Sequence, residues 1–576
     1  MNILQRSAGT AHALPATLHP VLRRIYAARQ VTDARQLELK LEHLHPPAAL
    51  KGMGRAVALL SEALRDQQRI LIVADFDADG ATSCALAVRA LRLLGASDMR
   101  YVVPNRFEYG YGLTPEIVAV AAEQQPQLII TVDNGISSIE GVACARERGI
   151  RVLITDHHLP GVSLPAADAI VNPNQPGDVF PAKNLAGVGV IFYLMLALRA
   201  HLRESGWFAE RGLREPNLAH LLDLVALGTV ADVVPLDHTN RILVAQGLVR
   251  IRERRCSAGL LALLQVAGRA AERISAADLG FAVAPRLNAA GRLTDMSLGI
   301  ECLLNDDPDV ALAMAQRLDE LNRERRAIET QMQAQAEALL DDLRLSENNA
   351  LPCGLCLFNP DWHQGVIGIL AGRIKDRVHR PVIVFALTGE SEIKGSARSI
   401  PGLHILDALG AVATRHPGLL SKFGGHAMAA GLSLRRADLP RLRAAFDAEV
   451  RLHLDPAQLQ GTLLSDGALA PADISLELAE ALRDAGPWGQ GFPEPVFDGV
   501  FEIRNQRLLN DRHLKLSLKH PDGAQLFDAI AFNVEEQALS LAQNAACVRL
   551  AYKLDVNVYQ DRRSVQLLIE HIQPAP

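Results

Sequence analysis

The chain has 576 residues, 49% of them hydrophobic, and a formal net charge of −6. That length implies about three or four domains with full cores and excludes an intrinsically disordered protein. The acidic balance excludes a protein that coats nucleic acid without selectivity, so contact with a polyanion must come from a local basic groove. Seven scattered cysteines read as a reducing cytoplasm rather than a disulfide framework, with Cys353 and Cys356 as core residues on a strand. No signal pattern opens the chain, and its longest apolar run, 186–198, is too short to span a bilayer. The expectation is a soluble, cytoplasmic protein that engages no membrane.

Residues 1–50 read as an N-terminal extension packed on the first domain. Its His12, His19, His43 and His45 are surface residues, because no ligand spacing relates them. The apolar run 71–74 predicts a strand buried on both faces. Asp75, Asp77 and Asp79 follow at alternate positions; Gly80 breaks the extended run, and Thr82 or Ser83 would cap a helix ending at Gly95. Three carboxylates this close repel one another, and the usual reason for them to stay ionised is a hard divalent cation. A solvated acidic loop is the competing reading. Three further apolar segments deliver an acidic residue or histidine at their C-terminal ends: 128–132 before Asp133, 151–155 before Asp156, His157 and His158, and 221–230 before Asp232. At spacings suited to βα units, four such ends predict a shared site along one sheet edge.

Between the first two of these, segment 104–113 combines Arg106 and Tyr111 with two glycines. It suits a loop that approaches a ligand closely or, equally, a connection with packing tyrosines. Arg286, Asn288 and Arg292 lie amid small residues, where an arginine needs an anionic partner. A long polar helical pattern over 307–343 suits an interdomain connector. A second α/β domain follows, with strands at 355–358 and 382–385 and a helix at 366–377. In it Ser396 and Arg398 suit a phosphate clamp, and Gly424 and Gly425 permit close backbone approach to a phosphate that His426 would bond. From about 455 the pattern changes to short strands and predicts a small β-barrel of OB type. No GxxxxGK[ST] motif is present, so ATP-driven unwinding is not expected.

The motifs Asp75-x-Asp77-x-Asp79-Gly80, Asp133-Asn134-Gly135, Asp156-His157-His158 and Asp232 resemble those of the DHH phosphoesterase superfamily. Those running from Arg286 to Arg292, Trp362 to Gly368, Ser396 to Ser399 and Gly424 to Gly431 narrow the resemblance to its RecJ family of single-strand-specific DNA exonucleases, from about residue 50 onward. The resemblance implies an α/β fold: a parallel-sheet DHH domain (51–270), a connector with a long helix (271–345), a smaller α/β DHH-associated substrate-binding domain (346–452) and a C-terminal OB-fold β-barrel (453–576).

It also implies two divalent metal ions, Mn²⁺ or Mg²⁺, held by Asp77, Asp79, Asp133, His157 and Asp232. Asp133 would bridge them, and Asp75 would make a sixth contact, direct or through water. Related DHH phosphatases carry a histidine where Val73 stands, which leaves the first metal's shell open. Asp156 would hold an imidazole in the required tautomer, and His158 would contact the scissile phosphate or donate a proton. Adjacent side chains on an extended strand point to opposite faces, so only one of the two histidines is expected as a metal ligand. Arg106, Tyr111, Arg286, Asn288, Ser396, Arg398, Gly424, Gly425 and His426 would bind substrate.

The implied activity is 5′→3′ degradation of single-stranded DNA to 5′-mononucleotides by two-metal hydrolysis, in DNA repair and recombination. A monomer would act beside a helicase and a single-stranded-DNA-binding protein. Two competing readings are a DHH phosphodiesterase for short oligonucleotides or cyclic dinucleotides and an inactive DHH scaffold in a replication complex. The added barrel argues against the first and the intact acidic motifs against the second.

Overall fold

The computed structural model describes every residue except 1, 8, 10–13, 106–111, 347–350, 511, 535, 561 and 576, and leaves aside the side chains of 346, 536–538, 544 and 559. The chain divides into two compact units, one of residues 3–319 and 464–576, the other of residues 1–2 and 320–463. Among the described residues no helix is long and apolar enough to cross a membrane.

The first unit is built on five parallel strands: β1 (Ile70–Ala74), β2 (Met99–Val102), β3 (Leu128–Val132), β4 (Arg151–Thr155) and β5 (Ala169–Val171). Their order is β2-β1-β3-β4-β5. Every residue of β1 and β3 is buried, which is why both read as unbroken apolar runs: helices cover both faces of the sheet. The order reverses between β1 and β3, and in open α/β sheets that reversal leaves a crevice beyond the carboxyl ends of the strands. Asp75 follows β1 and Asp133 follows β3, so the crevice is carboxylate-lined.

Two expectations need correction here. Helix α2 (Ala78–Leu93) starts before Gly80, not after it. Asp77 is its cap, accepting from the N–H groups of Asp79 and Gly80, so Thr82 and Ser83 lie inside the helix. The segment preceding Asp232 is not a strand but helix α4 (Leu222–Ala231), with Asp232 at its C-cap. A mostly apolar run, buried from Leu222 to Thr229, has no clear period by which to tell the two. Helix α3 (Gly187–Glu204) lies between them in sequence, and helix α5 (Ala284–Leu293) follows.

The N-terminal segment contains helix α1 (Pro20–Ala28) and does more than pack on the sheet domain. Arg29 forms a two-pronged ion pair with Asp466, at 2.7 and 3.0 Å, with both side chains 1% exposed. The Tyr26 hydroxyl donates to Ala485 O, and Tyr26 stacks with Trp488 and Phe492. These bonds tie the beginning of the chain to the segment leading into the barrel.

Helix α6 (Pro308–Ser346) is the long connector, and the boundary between the units falls within it. The second unit holds a mixed sheet of β6 (Leu355–Phe358), β7 (Val382–Leu387), β8 (Glu392–Arg398), β9 (Lys422–Gly425) and β10 (Ala429–Arg435), in the order β9-β10-β8-β7-β6. Only β6 and β7 run parallel. Cys356 is buried on β6, as expected, whereas Cys353 lies before the strand and is only partly buried against the core.

The closed barrel comprises β11 (Phe497–Leu509), β12 (His513–Lys519), β13 (Leu526–Ala531), β14 (Cys547–Tyr559) and β15 (Arg562–Pro574). Its order is β11-β12-β13-β15-β14, closing back onto β11, with β13 and β15 parallel. A helix, Glu536–Asn544, joins β13 to β14. This is an OB-like five-stranded barrel, and closure leaves it no open edge.

Candidate metal centre

Five elements, β1, α2, β3, β4 and α4, deliver the acidic residues and histidines to one place. Asp75 leaves β1 with its Oδ1 accepting from the Phe76 N–H at 2.8 Å, and Asp77 turns the chain into α2. Asp79, in the first turn of α2, is 1% exposed and points at the start of α3, where Gly187 N–H donates to Oδ2 at 2.6 Å and Val188 N–H to Oδ1 at 2.9 Å. A helix N-terminus is a favourable place for a carboxylate, and here it aims one. Asp133, also 1% exposed, has φ 62°, a left-handed conformation that aspartate tolerates better than most residues. Asn134 holds that bend by donating from Nδ2 to Val73 O and Val132 O, pinning β1 to β3.

Beyond β4, Asp156 is buried and accepts at Oδ1 from the backbone N–H groups of both His157 and His158, and at Oδ2 from Ile136 N–H. The backbone therefore curls rather than extends, and both imidazoles face the same cluster, their ring centroids 4.5 Å apart. That corrects the expectation that adjacent histidines would diverge: the strand ends at Thr155, so its alternation ends there too. His158 Nδ1 bonds Asp156 Oδ1 at 2.7 Å, so the imidazole that Asp156 orients is His158.

The donor atoms form three overlapping groups, each within 4.8 Å: Asp75, Asp77 and Asp133; Asp79, His157 and Asp232; and Asp133, His157 and His158. His157 Nε2 is buried, 3.1 Å from Asp133 Oδ1 and 3.4 Å from Asp232 Oδ2, yet it makes no hydrogen bond of acceptable geometry. A ring nitrogen converging on two carboxylates in this way can share a cation with them. Carboxylate oxygens with few imidazoles suit a hard divalent ion such as Mn²⁺ or Mg²⁺ and not a thiolate zinc site.

The electrostatics agree. Burial, then the charge of Asp232, pushes Asp79 up to about 7; burial, then Asp77, pushes Asp232 up to about 7. Burial and the neighbouring Asp79 raise Asp133 well above the carboxylate range. Burial would lower His158, but its bond to Asp156 outweighs that and raises it to about 9. Burial and the charge of His158 lower His157. Carboxylates that resist ionisation together are those that a cation ionises.

Four glycines let the backbone close around this cluster. A Cβ at Gly80 would lie 2.4 Å from Asp75 O, at Gly187 2.6 Å from Asp133 Cβ, at Gly228 2.9 Å from Asp79 Oδ1, and at Gly291 1.9 Å from Phe76 O. Sequence reasoning found Gly80 and missed the roles of Gly187, Gly228 and Asn134. The available signal was glycine inside the otherwise large-residue helical runs 186–198 and 221–230.

The expected substrate residues fall in several places. Arg106 and Tyr111, with the residues between them, lie outside the described residues. Arg286 is buried and pairs with Asp319 at 2.7 Å, the anionic partner its setting required, inside the protein. Asn288 Oδ1 accepts from Ala78 N–H at 2.8 Å, so this side chain buttresses the aspartate turn.

In the second unit, Ser396 and Arg398 share one face of β8, and Arg398 Nη1 donates to Ser396 Oγ at 3.1 Å. Gly368 makes room for them: a Cβ there would lie 3.0 Å from Arg398 Nη2. Burial lowers the Arg398 pKa, and Arg398 makes no ion pair among the described residues. Register places Ser396 opposite Gly431, which is opposite Gly424, so small residues floor this face. Gly425 follows with φ 149°, and His426 N–H donates to Ala429 O.

Residues 69–229 match the DHH family N-terminal domain, 352–452 the DHHA1 domain and 465–571 the RecJ OB domain. The single-stranded-DNA-specific exonuclease RecJ of Dickeya dadantii is 57% identical over 571 residues, 99% of each chain, and that of Escherichia coli is 55% identical over 97% of each. The crystal structure of RecJ from Thermus thermophilus in complex with Mn²⁺ covers all of this chain and 79% of its own at TM-score 0.80 and 30% identity. The Mg²⁺ complex from the same organism gives TM-score 0.74 at 28% identity. Matched along nearly its whole length at more than half identity, the chain belongs to the RecJ family.

Proposed function

We propose that this chain is a metal-dependent exonuclease that degrades single-stranded DNA from its 5′ end to 5′-mononucleotides, in DNA repair and recombination. The observation that carries the reading is the convergence of Asp75, Asp77, Asp79, Asp133, His157 and Asp232 at the switch point of the parallel sheet. Asp77, Asp79, Asp133, His157 and Asp232 would hold two divalent cations, Mn²⁺ or Mg²⁺, with Asp133 common to two donor groups and so suited to lie between them. When bound, such ions supply the positive charge that polarises a phosphodiester and acidifies the attacking water.

The protein's own part is positioning. The α3 N-terminus holds Asp79, Asn134 holds the Asp133 bend, and Asp156 fixes the His158 ring. With Nδ1 bonded to Asp156, His158 would meet a phosphate oxygen or the leaving group through Nε2. In the second unit, Ser396, Arg398 and the Gly424–Gly425 backbone with His426 suit a terminal 5′ phosphate, because Arg398 brings a charge that forms no ion pair among the described residues.

The barrel adds a surface for single strands. Lacking a P-loop, the chain would depend on a helicase to expose its substrate and would meet strands held by a single-stranded-DNA-binding protein. Seven free thiols accord with a reducing, cytoplasmic compartment.

The test is a denaturing gel of 5′- and 3′-end-labelled single strands, with and without Mn²⁺. Immediate release of labelled mononucleotide from the 5′ label, gradual shortening of the 3′-labelled strand and no activity in EDTA are expected. Internal cuts, or hydrolysis confined to dinucleotides, would overturn the reading.

A further inference from the structure

A cavity of about 560 Å³ opens in the first unit between α4, the segment 275–281 and the residues that lead into the barrel. Val233, Phe281, Trp488 and Arg252 are among its lining residues. Two of these are unusual. Phe281 is 81% exposed and sits on a single π-helical turn, Leu279–Val283, closed by Ala284 N–H bonding back to Leu279 O. Val233 is 62% exposed and has φ 63°, a left-handed conformation that a β-branched residue adopts only where the surroundings impose it. π-Helical turns and strained backbone both concentrate at functional sites.

The place of the cavity indicates its occupant. Val233 follows Asp232 directly, and Asp232 Oδ2 is 3.4 Å from His157 Nε2, so the cavity begins one residue from the metal centre. Its charges are mostly spent. Lys553 pairs with Glu494 and Glu570, and Arg483 with Asp484. Arg252 donates from Nε to Ile274 O and forms no ion pair among the described residues. A guanidinium whose nearest charge influence is Asp484, already paired with Arg483, lines the same cavity as an exposed aromatic ring, and together they fit one phosphate and a stacked base, the pairing by which proteins hold single strands. An acidic peptide would find a single cation to meet it.

We propose that this cavity binds nucleotides of the DNA strand beyond the scissile bond, with a base stacked on Phe281 against Val233 and a phosphate on Arg252. The proposal rests on the reading of the chain as a single-strand exonuclease. It separates two tasks: the metal centre cuts, and this cavity grips the remaining strand.

Full-length Phe281→Ala and Arg252→Gln test it. Phe281 is too exposed for its loss to open the core, and Phe281→Trp restores a stacking surface. For a strand of about a dozen nucleotides, Phe281→Ala should raise KM about five- to a hundredfold with kcat unchanged. Arg252→Gln should act in the same direction, and hydrolysis of a 5′-phosphorylated dinucleotide should be unaffected. In EDTA, 2-aminopurine within the strand should be quenched by the wild type and by Phe281→Trp but not by Phe281→Ala. A wild-type KM in a folded Phe281→Ala variant, or equal losses on dinucleotide and long strand, would overturn the proposal and leave the cavity to an apolar protein partner. The fluorescence arm needs no turnover, so it tests the cavity even if the wild type fails to cut single strands, a result that would refute the exonuclease reading instead.

Discussion

Gly187→Ala is a one-methyl change that should disable the metal centre without touching a ligand. The φ at Gly187 is one that any residue adopts, so the effect is purely of space. An added Cβ would lie 2.6 Å from Asp133 Cβ and 2.7 Å from its Oδ1. Moving the first of these to an ordinary contact of 3.4 Å requires a shift of 3.4 − 2.6, about 0.8 Å. If Asp133 moves, it leaves the group it shares with His157. If the start of α3 retreats instead, the 2.6 Å bond that aims Asp79 lengthens to about 3.4 Å and weakens. Either way two carboxylates part by most of an ångström, and a misplacement of about 1 Å costs about a hundredfold in rate. The overpacking itself costs about 1–3 kcal/mol of stability. The assay is kcat/KM on 5′-phosphorylated single strands at saturating Mn²⁺, beside circular dichroism and a thermal melt. Gly189→Ala, whose Cβ would meet only the Leu185 side chain, most tightly its Cδ2 at 3.1 Å, is the control. A folded Gly187→Ala enzyme with near-wild-type kcat/KM would refute the packing argument.

Asp133→Ala should abolish hydrolysis in a folded protein, and near-normal turnover at saturating Mn²⁺ would rule out its bridging role. Mn²⁺ at a hundred times Kd should stabilise the wild type by about 2.7 kcal/mol over EDTA, and Asp133→Ala should lose most of that gain in a thermal-shift assay. Arg398→Ala should leave metal binding intact but lose about 1.5–3 kcal/mol of preference for 5′-phosphorylated over 5′-hydroxyl strands, about ten- to a hundredfold, in initial rates at subsaturating DNA. An unchanged rate ratio would remove Arg398 from phosphate recognition. Arg29→Met should destabilise the first unit by up to about 3–5 kcal/mol in urea, because it removes the two-pronged partner of buried Asp466 and leaves it Arg6 at 3.8 Å and the Val496 N–H; a loss below about 1 kcal/mol would contradict this.

Much of the metal centre was legible from covalent order. Strands buried on both faces must be unbroken apolar runs, so β1, β3 and β4 announce themselves, and the residues after them fall at one edge of the sheet. The strict alternation in 514–519 likewise announced β12. Where periodicity vanished, the reading failed. The segment before Asp232 is helical because tertiary burial on all sides, not local pattern, decided it. Both histidines face the centre because Asp156 curls the chain through their N–H groups, a bond that spacing does not encode.

The sequence by itself determined the chemistry: acidic residues and histidine after apolar runs, Gly80 at the aspartate turn, an alternating barrel at the C-terminus. These follow from local rules of burial and period. Only the tertiary structure decided how those parts are held. It aimed Asp79 with a helix that begins 108 residues later, spent Asn288 on the aspartate turn and Arg286 on Asp319, and joined Arg29 to Asp466 across 437 residues. Such bonds pair groups far apart in the chain, and one sequence carries no record of which distant partner a polar side chain will meet when both leave water together.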